Sequence, residues 1–213
     1  MLSNPPLKVK VWSELACFTR PEMKVERVTY PVMTPSAARG ILEAILWKPE
    51  FSWRVREIHI LRSIEYCSIV RNEVKNRMVR LDGDFFADDY RTQRHTLALK
   101  NPAYIIVADI VLRSHATDDV AKYRDMFRRR VQKGQCFHRP YLGCREFSAF
   151  FAEPEEQDVP QPISFDIGTM LFDIHYAADR SSRNVPIFFD AVVRDGILSV
   201  PQELYDKVDV TCS

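Results

Sequence analysis

The chain has 213 residues, of which 46% are hydrophobic, and a formal net charge of +1. This hydrophobic share can form a core in one domain, or in one domain with a small annex. No run of 18 uncharged apolar residues occurs, so we expect no transmembrane helix. The N-terminus lacks an apolar signal-peptide core and the five widely spaced cysteines contain no CxxC pair. We therefore expect a cytoplasmic protein with free thiols, no zinc site and no cofactor.

The first part of the chain alternates between strand and helix patterns. Alternating apolar residues predict a strand over residues 8–18. A Thr-Pro pair is typical of a helix start, and it predicts a helix over residues 36–47, which Pro49 ends. Alternation returns over residues 53–64 and predicts a second strand.

The middle of the chain begins with a long segment that is charged and only weakly periodic, residues 67–102. A structureless loop of that length is unusual, so we expect a hairpin or a mobile flap. The apolar run 103–112 predicts a buried strand. Asp118 is predicted to cap a second helix that runs to about Lys133, where Gly134 ends it, and a short strand is predicted over residues 145–151.

The predicted order is strand, helix, strand, strand, helix, strand, which is the split βαβ pattern of the ferredoxin-like fold and of RRM-type RNA binders. Residues 170–176 alternate, and residues 186–200 have the pattern of a hairpin. We therefore predict an α+β protein. A ferredoxin-like (RRM-like) βαββαβ domain would span residues 1–151, with a flexible insertion at about 67–102, and a C-terminal antiparallel β-rich extension would span residues 152–213.

Positive charge is concentrated in one segment. Residues 120–145 carry eight Lys or Arg and one acid, whereas residues 146–213 carry thirteen acids and four bases. A basic helix followed by a basic loop is typical of a polyanion site, although a solvated helix face with an ordinary loop is the alternative. The loop also contains glycines, which permit close backbone approach, and aromatic residues, which stack on bases.

The second predicted helix has two faces. The apolar spacing predicts an inner stripe, formed by Val120, Tyr123, Phe127 and Val131. The cations of the opposite face are Lys122, Arg124, Arg128 and Arg129. This division predicts that the cations face solvent or a ligand, while the tyrosine packs inward.

No P-loop, GxGxxG, HExxH or GxSxG motif occurs, and the histidines lack metal-ligand spacings. The sequence therefore gives no support for a metal-dependent nuclease or a phosphoryl-transfer ATPase. RNA can be cut without a metal when a base takes the 2′-hydroxyl proton, a cation stabilises the charged phosphate and an acid protonates the leaving oxygen. Lys122 beside Tyr123 can supply part of that set. The alternative is a surface lysine beside a core tyrosine.

Five segments together resemble a known family. They are residues 15–49, 70–74, 121–147, 166–174 and 191–198. In this order they are similar to the CRISPR-associated Cas5 family, in the d branch of subtype I-C. The resemblance implies a ferredoxin-like RNA-binding domain with a β-rich extension. It also implies a metal-independent endoribonuclease that cuts CRISPR precursor RNA at repeat hairpins and keeps the 5′ handle of the guide RNA. The implied partners are this RNA and the other subunits of the interference complex.

The resemblance implies a catalytic set that this chain matches in part. The family has a tyrosine on the first helix and a Lys-His pair at the start of the second. Lys122 matches the lysine, Tyr123 stands at the histidine position and Leu46 at the tyrosine position. Tyrosine titrates near pH 10 and is a weaker base than histidine at neutral pH, and leucine carries no proton. We predict Lys122, Tyr123 and His138 as the catalytic residues.

Three outcomes stay open at this point. Tyr123 supports cleavage together with His138 or His95; another tyrosine replaces the missing one; or the chain binds RNA and cleaves it weakly. The candidate replacements are Tyr30, Tyr104 and Tyr141. A non-catalytic RNA-binding scaffold is a separate hypothesis. Non-specific binding of duplex DNA is a further alternative, because arginines contact DNA phosphates as well. The predicted RNA-binding residues are Arg39, Arg128, Arg129, Lys133, Arg139 and Arg145.

Overall fold

The computed structural model describes residues 5–23, 25–74, 87–175 and 185–209. These ranges form a mixed α+β fold. The elements up to residue 100 are β1 (Leu7–Trp12), β2 (Leu15–Ala16), β3 (Arg27–Val28), α1 (Pro35–Ile45), β4 (Phe51–Ile60), β5 (Tyr66–Val74) and β6 (Arg91–Lys100). The later elements are β7 (Ala103–Leu112), α2 (Val120–Gln132), β8 (Phe150–Ala152), β9 (Phe165–His175), β10 (Val185–Arg194), β11 (Ile197–Ser199) and α3 (Glu203–Asp209).

The larger sheet has seven strands in the order β8-β1-β7-β4-β11-β10-β9. Each neighbouring pair in it is antiparallel. β7 was predicted with the same bounds, because a continuous apolar run marks a strand that is buried on both faces. The strands that were predicted for the C-terminal part are present. They continue this sheet, since β11 pairs with β4. The division of the chain after residue 151 stays a prediction.

The predicted hairpin over residues 67–102 is present, because β5 and β6 pair antiparallel along their whole lengths. Residues 75–86 lie outside the described residues, so the flexibility predicted for this segment stays a prediction there. On its other edge β6 pairs with β2 and β3, which completes a second sheet. The predicted strand over residues 8–18 is therefore wrong as one strand: β1 belongs to the first sheet and β2 to the second.

The two longer helices pack into a core that an aromatic cluster joins. The cluster consists of Phe51, Trp53, Tyr123 and Phe127, with ring centroids 4.8 to 5.6 Å apart in the contacting pairs. α1 ends at Ile45 beside this cluster, and the Trp53 indole donates a 2.9 Å hydrogen bond to the Leu46 carbonyl. Because tilted and edge-to-face pairs of this kind each add about 0.5–1.5 kcal/mol, the cluster fixes α2 against α1 and β4.

The segment between β8 and β9 lies over the sheet face opposite the helices. Lys10 points to that face, because it alternates with the core residues Val9 and Val11. Its ammonium group lies 2.5 Å from the Asp158 carboxylate, and the Gln161 amide donates to the Ile60 carbonyl. This face is therefore partly covered by an acidic segment, and the exposed cations on α2 lie elsewhere. None of the helices in the described ranges is long and apolar enough to cross a membrane.

Candidate active site

The first turn of α2 presents Lys122 to solvent. The Asp119 carboxylate caps the helix by accepting the Ala121 amide at 3.1 Å, so the helix starts one residue later than the predicted cap allows. The Lys122 ammonium lies 2.7 Å from the Asp118 carboxylate, and the lysine side chain is 57% exposed. The hydrogen bond to Asp118 raises the pKa of Lys122, so the lysine is charged at neutral pH. An exposed pair of this kind holds weakly and leaves the cation available to a phosphate.

Tyr123 points the other way, into the aromatic cluster, and is 2% exposed. Its ring lies 5.2 Å from that of Phe51, and its hydroxyl is buried without a hydrogen-bond partner among the described residues. Burial and the negative charges of Glu50 and Asp118 raise the pKa of Tyr123, which keeps the phenol protonated at neutral pH. The structure thus places Tyr123 as a core tyrosine. Its role as a proton carrier stays a prediction.

The position of the family's first-helix tyrosine lies in the core as well. Leu46 is fully buried at the end of α1. Two of the candidate replacements, Tyr30 and Tyr104, are also buried, and the pKa of each is raised by burial. Tyr141 is half-buried beside a cleft. His95 is exposed on β6, in the hairpin sheet rather than beside α2.

Two titratable side chains at the facing ends of β4 and β7 were missed by the sequence analysis. One carboxylate oxygen of Glu50 is buried without a hydrogen-bond partner in the described part of the chain, and its charge acts on both Lys122 and Tyr123. His115 contacts the Pro49 carbonyl at 3.1 Å through Nε2. The segments that carry them come together through the pairing of β4 with β7. Its register places the turn before β4 beside the turn after β7.

The other cations of α2 extend from this turn along the exposed side of the helix. Arg128, Arg129 and Lys133 are all exposed, and a rise of about 1.5 Å per residue places Lys133 roughly 16 Å along the axis from Lys122. Arg128 pairs with Asp125 at 3.3 Å, an exposed contact. We call these four cations the basic face. Arg124 was predicted on the outer side, which is wrong: it is buried and its guanidinium donates to the Pro5 carbonyl.

The loop after α2 is fastened at both ends. The Phe137 amide donates to the Ala44 carbonyl at 2.8 Å, and the Cys17 amide donates to the Leu142 carbonyl at 3.1 Å. Gly143 has φ +83°, and a Cβ there would lie 2.1 Å from the Cys17 carbonyl oxygen. Only glycine fits this close approach, because it lacks the Cβ and tolerates the left-handed region. The loop is therefore held against α1 and β2.

The predicted site residues of this loop lie at the far end of α2 from Lys122. His138 is exposed, and its amide contacts the Ala44 carbonyl at 3.4 Å beside the last turns of α2. The Arg139 guanidinium lies 5.6 Å from the Phe150 ring centre, and Arg145 is exposed. The structure therefore brings His138 together with the basic loop and does not place it beside the first turn of α2. The roles of these residues stay predictions.

Arg39 faces a cleft of about 360 Å³ between α1, the basic loop and β9. Its guanidinium donates two 2.8 Å hydrogen bonds to the Asp173 carboxylate and a third to Glu43. Burial opposes the charged form, but the bonds and charge of Asp173 outweigh it and raise the pKa of Arg39. Because two carboxylates already neutralise this arginine, an RNA phosphate would have to compete with them. The cleft is also lined by Thr34, Ser36, His138 and Tyr141.

Within the described ranges, no three His, Cys, Asp or Glu side chains are grouped as metal ligands. The groups that act on Lys122 are the carboxylates of Asp118 and Glu50 and the phenol of Tyr123. Together with the lysine ammonium, these groups can donate protons, accept protons and stabilise negative charge. Such a set is sufficient for acid–base chemistry on a phosphodiester.

Comparison with known proteins gives a consistent result. The family model for Cas5d, described as CRISPR-associated protein (Cas_Cas5), matches residues 6–201. The chain is 50% identical over 217 residues to the CRISPR pre-crRNA endoribonuclease Cas5d of Thermus thermophilus, covering 95% of this chain and 94% of the relative. It is 42% identical over 224 residues to the protein of the same name from Mannheimia succiniciproducens, covering 95% and 97%.

A solved structure described as a CRISPR-associated protein superposes with a TM-score of 0.68 at 22% identity, covering 93% of each chain. At that identity the superposition shows a shared fold. The family match extends over both sheets and includes the first turn of α2, the basic face and the loop that follows. The chain therefore belongs to the Cas5d branch of the CRISPR-associated Cas5 family.

Proposed function

We propose that this protein is a metal-independent endoribonuclease that cuts CRISPR precursor RNA at its repeat hairpins and retains the 5′ handle of the guide RNA. The observation that carries the proposal is the placement of Lys122, exposed and charged, at one end of the basic face. The names of the two curated relatives support the same activity. The RNA then lies along α2, with its scissile phosphate at the first turn.

In the proposed reaction, the 2′-hydroxyl oxygen of the substrate attacks the adjacent phosphorus while its proton passes to a base. The P–O5′ bond breaks, the 5′-oxygen takes a proton, and the products are a 2′,3′-cyclic phosphate and a 5′-hydroxyl. Lys122 stabilises the charge that develops on the phosphate. The candidates for proton transfer are the Tyr123 phenol, which its burial makes a poor base, and the Glu50 carboxylate, whose charge acts on Lys122. Holding the attacking and leaving oxygens in line supplies a further part of the rate.

A fold assignment and a set of partners follow from the proposal. We assign the β8-β1-β7-β4 part of the sheet, with α1 and α2, to the ferredoxin-like fold, which the strand order and the antiparallel pairing support. The partners are the precursor and mature guide RNA and the other subunits of a subtype I-C interference complex in the cytoplasm. Duplex DNA also binds to this basic face without sequence specificity, and its affinity falls as the salt concentration rises.

A second candidate function is a non-catalytic RNA-binding scaffold of the same complex. The burial of both Leu46 and Tyr123 favours it, because neither position then supplies an accessible proton carrier. The two candidates differ in one property, which is whether the bound RNA is cut. They share the basic face and the loop.

The test is incubation of the repeat hairpin RNA with the purified protein in EDTA. The proposal expects one cut, a 2′,3′-cyclic phosphate end and no cut when the scissile nucleotide carries a 2′-deoxyribose. Tight binding without any cut over hours would support the scaffold. Cleavage of the 2′-deoxy substrate would contradict the mechanism, because that substrate lacks the attacking oxygen.

A further inference from the structure

Two large aromatic side chains near the end of α1 are strongly exposed. Phe137 is 79% exposed, the highest fraction among the large apolar side chains in the described ranges, and Trp47 is 58% exposed. Leaving such rings in water forgoes the burial that stabilises most aromatic residues. Their exposure therefore indicates a surface that gains contacts when a ligand binds.

The fold brings the backbone of both residues to the C-terminal end of α1. The chain leaves α1 at Leu46 in an extended conformation, and Trp47 follows directly. Phe137 reaches the same helix end from the basic loop, because its amide donates to the Ala44 carbonyl. The Arg130 guanidinium donates to the neighbouring Ile45 carbonyl at 2.5 Å. These bonds cap the last turn of α1 and hold the backbone beside both rings in place.

Two lysines lie near this helix end. Lys48 follows Trp47, and Lys133 is exposed at the end of α2. His138 lies edge-on to Phe137, with ring centroids 6.0 Å apart. Exposed aromatics among cations favour single-stranded nucleic acid, whose bases stack on rings while its phosphates meet the charges. The core of a protein–protein contact is instead depleted of charged residues.

We propose that Trp47 and Phe137 form a stacking platform for unpaired bases of the RNA that flank the repeat hairpin. The inference rests on the proposed function for the identity of the RNA. Arg130, which caps the same helix end, is about 12 Å along α2 from Lys122. The platform therefore acts on RNA position and affinity, and Trp47 and Phe137 are positioning residues rather than catalytic residues.

The test compares two pairs of variants. Trp47→Leu and Phe137→Leu keep apolar bulk and remove the aromatic face, whereas Trp47→Phe and Phe137→Tyr keep an aromatic face. Val159→Ala, which changes another exposed apolar side chain, is the matched control. Affinity is measured with the 2′-deoxy repeat RNA carrying its single-stranded flanks, so that cleavage does not enter the result. The fraction folded is checked by circular dichroism.

Each leucine variant is expected to bind about 5- to 100-fold more weakly, while the aromatic variants and the control bind like the wild type. The dependence of affinity on salt is expected to stay the same, because no phosphate contact is lost. Replacing the flanking nucleotides with abasic ones should remove the difference between the wild type and the leucine variants. Tryptophan emission should fall when RNA is added, and the Trp47→Phe variant should lose that change.

Two outcomes overturn the platform while leaving the proposed function intact. One is wild-type RNA affinity in both leucine variants with normal cleavage. The other is wild-type RNA affinity with failure to co-purify with the remaining subunits of the complex, which would assign the rings to a protein partner. Conversely, a wild type that cuts no RNA, with leucine variants that still bind RNA more weakly than it does, would support the platform and contradict the nuclease activity. The two claims therefore fail separately.

Discussion

The two ends of α2 carry different kinds of side chain. At the first turn, one lysine is exposed, while the Tyr123 hydroxyl and one Glu50 carboxylate oxygen are buried and have no hydrogen-bond partner in the described part of the chain. At the last turn and in the following loop, cations and aromatic rings are exposed. The first arrangement suits chemistry at one phosphate, and the second suits contact with a long polyanion. The proposed function therefore predicts that mutations at the two ends of this helix affect RNA cutting and RNA binding separately.

The largest effect is expected from Lys122→Ala. Removing the cation that stabilises the developing phosphate charge should lower the single-turnover cleavage rate by about 10²- to 10³-fold. The side chain is exposed, so the melting temperature should stay unchanged. Lys122→Arg, which keeps the charge, is the matched control and should retain part of the rate. An unchanged rate in the alanine variant would remove the first turn of α2 from the chemistry.

The next effect is expected from Gly143→Ala, which tests how the loop is held. The added Cβ meets the Cys17 carbonyl oxygen in a left-handed backbone conformation, and such strain costs about 1–3 kcal/mol. Because the loop belongs to the binding end, the RNA affinity should fall while the cleavage rate of bound RNA stays the same. Gly134→Ala is the control, because its φ of +62° imposes the same left-handed strain while its added Cβ meets no non-neighbouring atom within 4 Å. Equal affinities in the two variants would show that the loop need not be fastened at Cys17.

A smaller effect is expected when two cations of the basic face are removed together. The Arg129→Ala, Lys133→Ala double variant loses up to two phosphate contacts, so the slope of log affinity against log salt should fall by about 1 to 2. Fluorescence anisotropy of labelled repeat RNA at several salt concentrations measures this slope. Arg62→Ala, which changes an exposed cation outside α2, is the control. If the control changes the slope as much as the double variant does, the RNA does not lie along α2.

The smallest effect is expected from Tyr123→Phe. The substitution removes a buried hydroxyl that has no hydrogen-bond partner in the described structure, so the free energy of unfolding should rise by about 1 kcal/mol or stay unchanged. The raised pKa of this phenol makes it a poor base, and we expect cleavage within roughly twofold of the wild type. Chemical denaturation and single-turnover kinetics measure the two quantities. A cleavage loss above tenfold would make Tyr123 the proton carrier.

Much of the fold could be predicted because local patterns decide it. The buried run of β7 follows from its apolar sequence and the end of α2 from a glycine, while the hairpin of β5 with β6 was one of two alternatives for a segment too long for a structureless loop. The split between β1 and β2 could not be predicted, because only the tertiary structure assigns neighbouring segments to different sheets. For the same reason, helical spacing placed Arg124 outside, whereas the segment before β1 covers it.

The candidate site was predictable only in part. The helical period of α2 indicates both the exposed Lys122 and the inward Tyr123. Glu50 and His115 lie 65 residues apart in the chain, and only the register of β4 against β7 brings the turns that hold them together. The exposure of Trp47 also depends on the extended backbone at Leu46, which apolar spacing does not determine.

The most direct test of the separation along α2 is a single-turnover cleavage series in EDTA over a range of protein concentrations. Lys122→Ala and the Arg129→Ala, Lys133→Ala double variant are measured side by side with the wild type. Lys122→Ala should lower the maximal cleavage rate without changing the protein concentration that gives half of that rate. The double variant should keep the maximal rate but need a higher protein concentration to reach it. A lysine variant that keeps the wild-type maximal rate, or a double variant that loses it, would contradict the account.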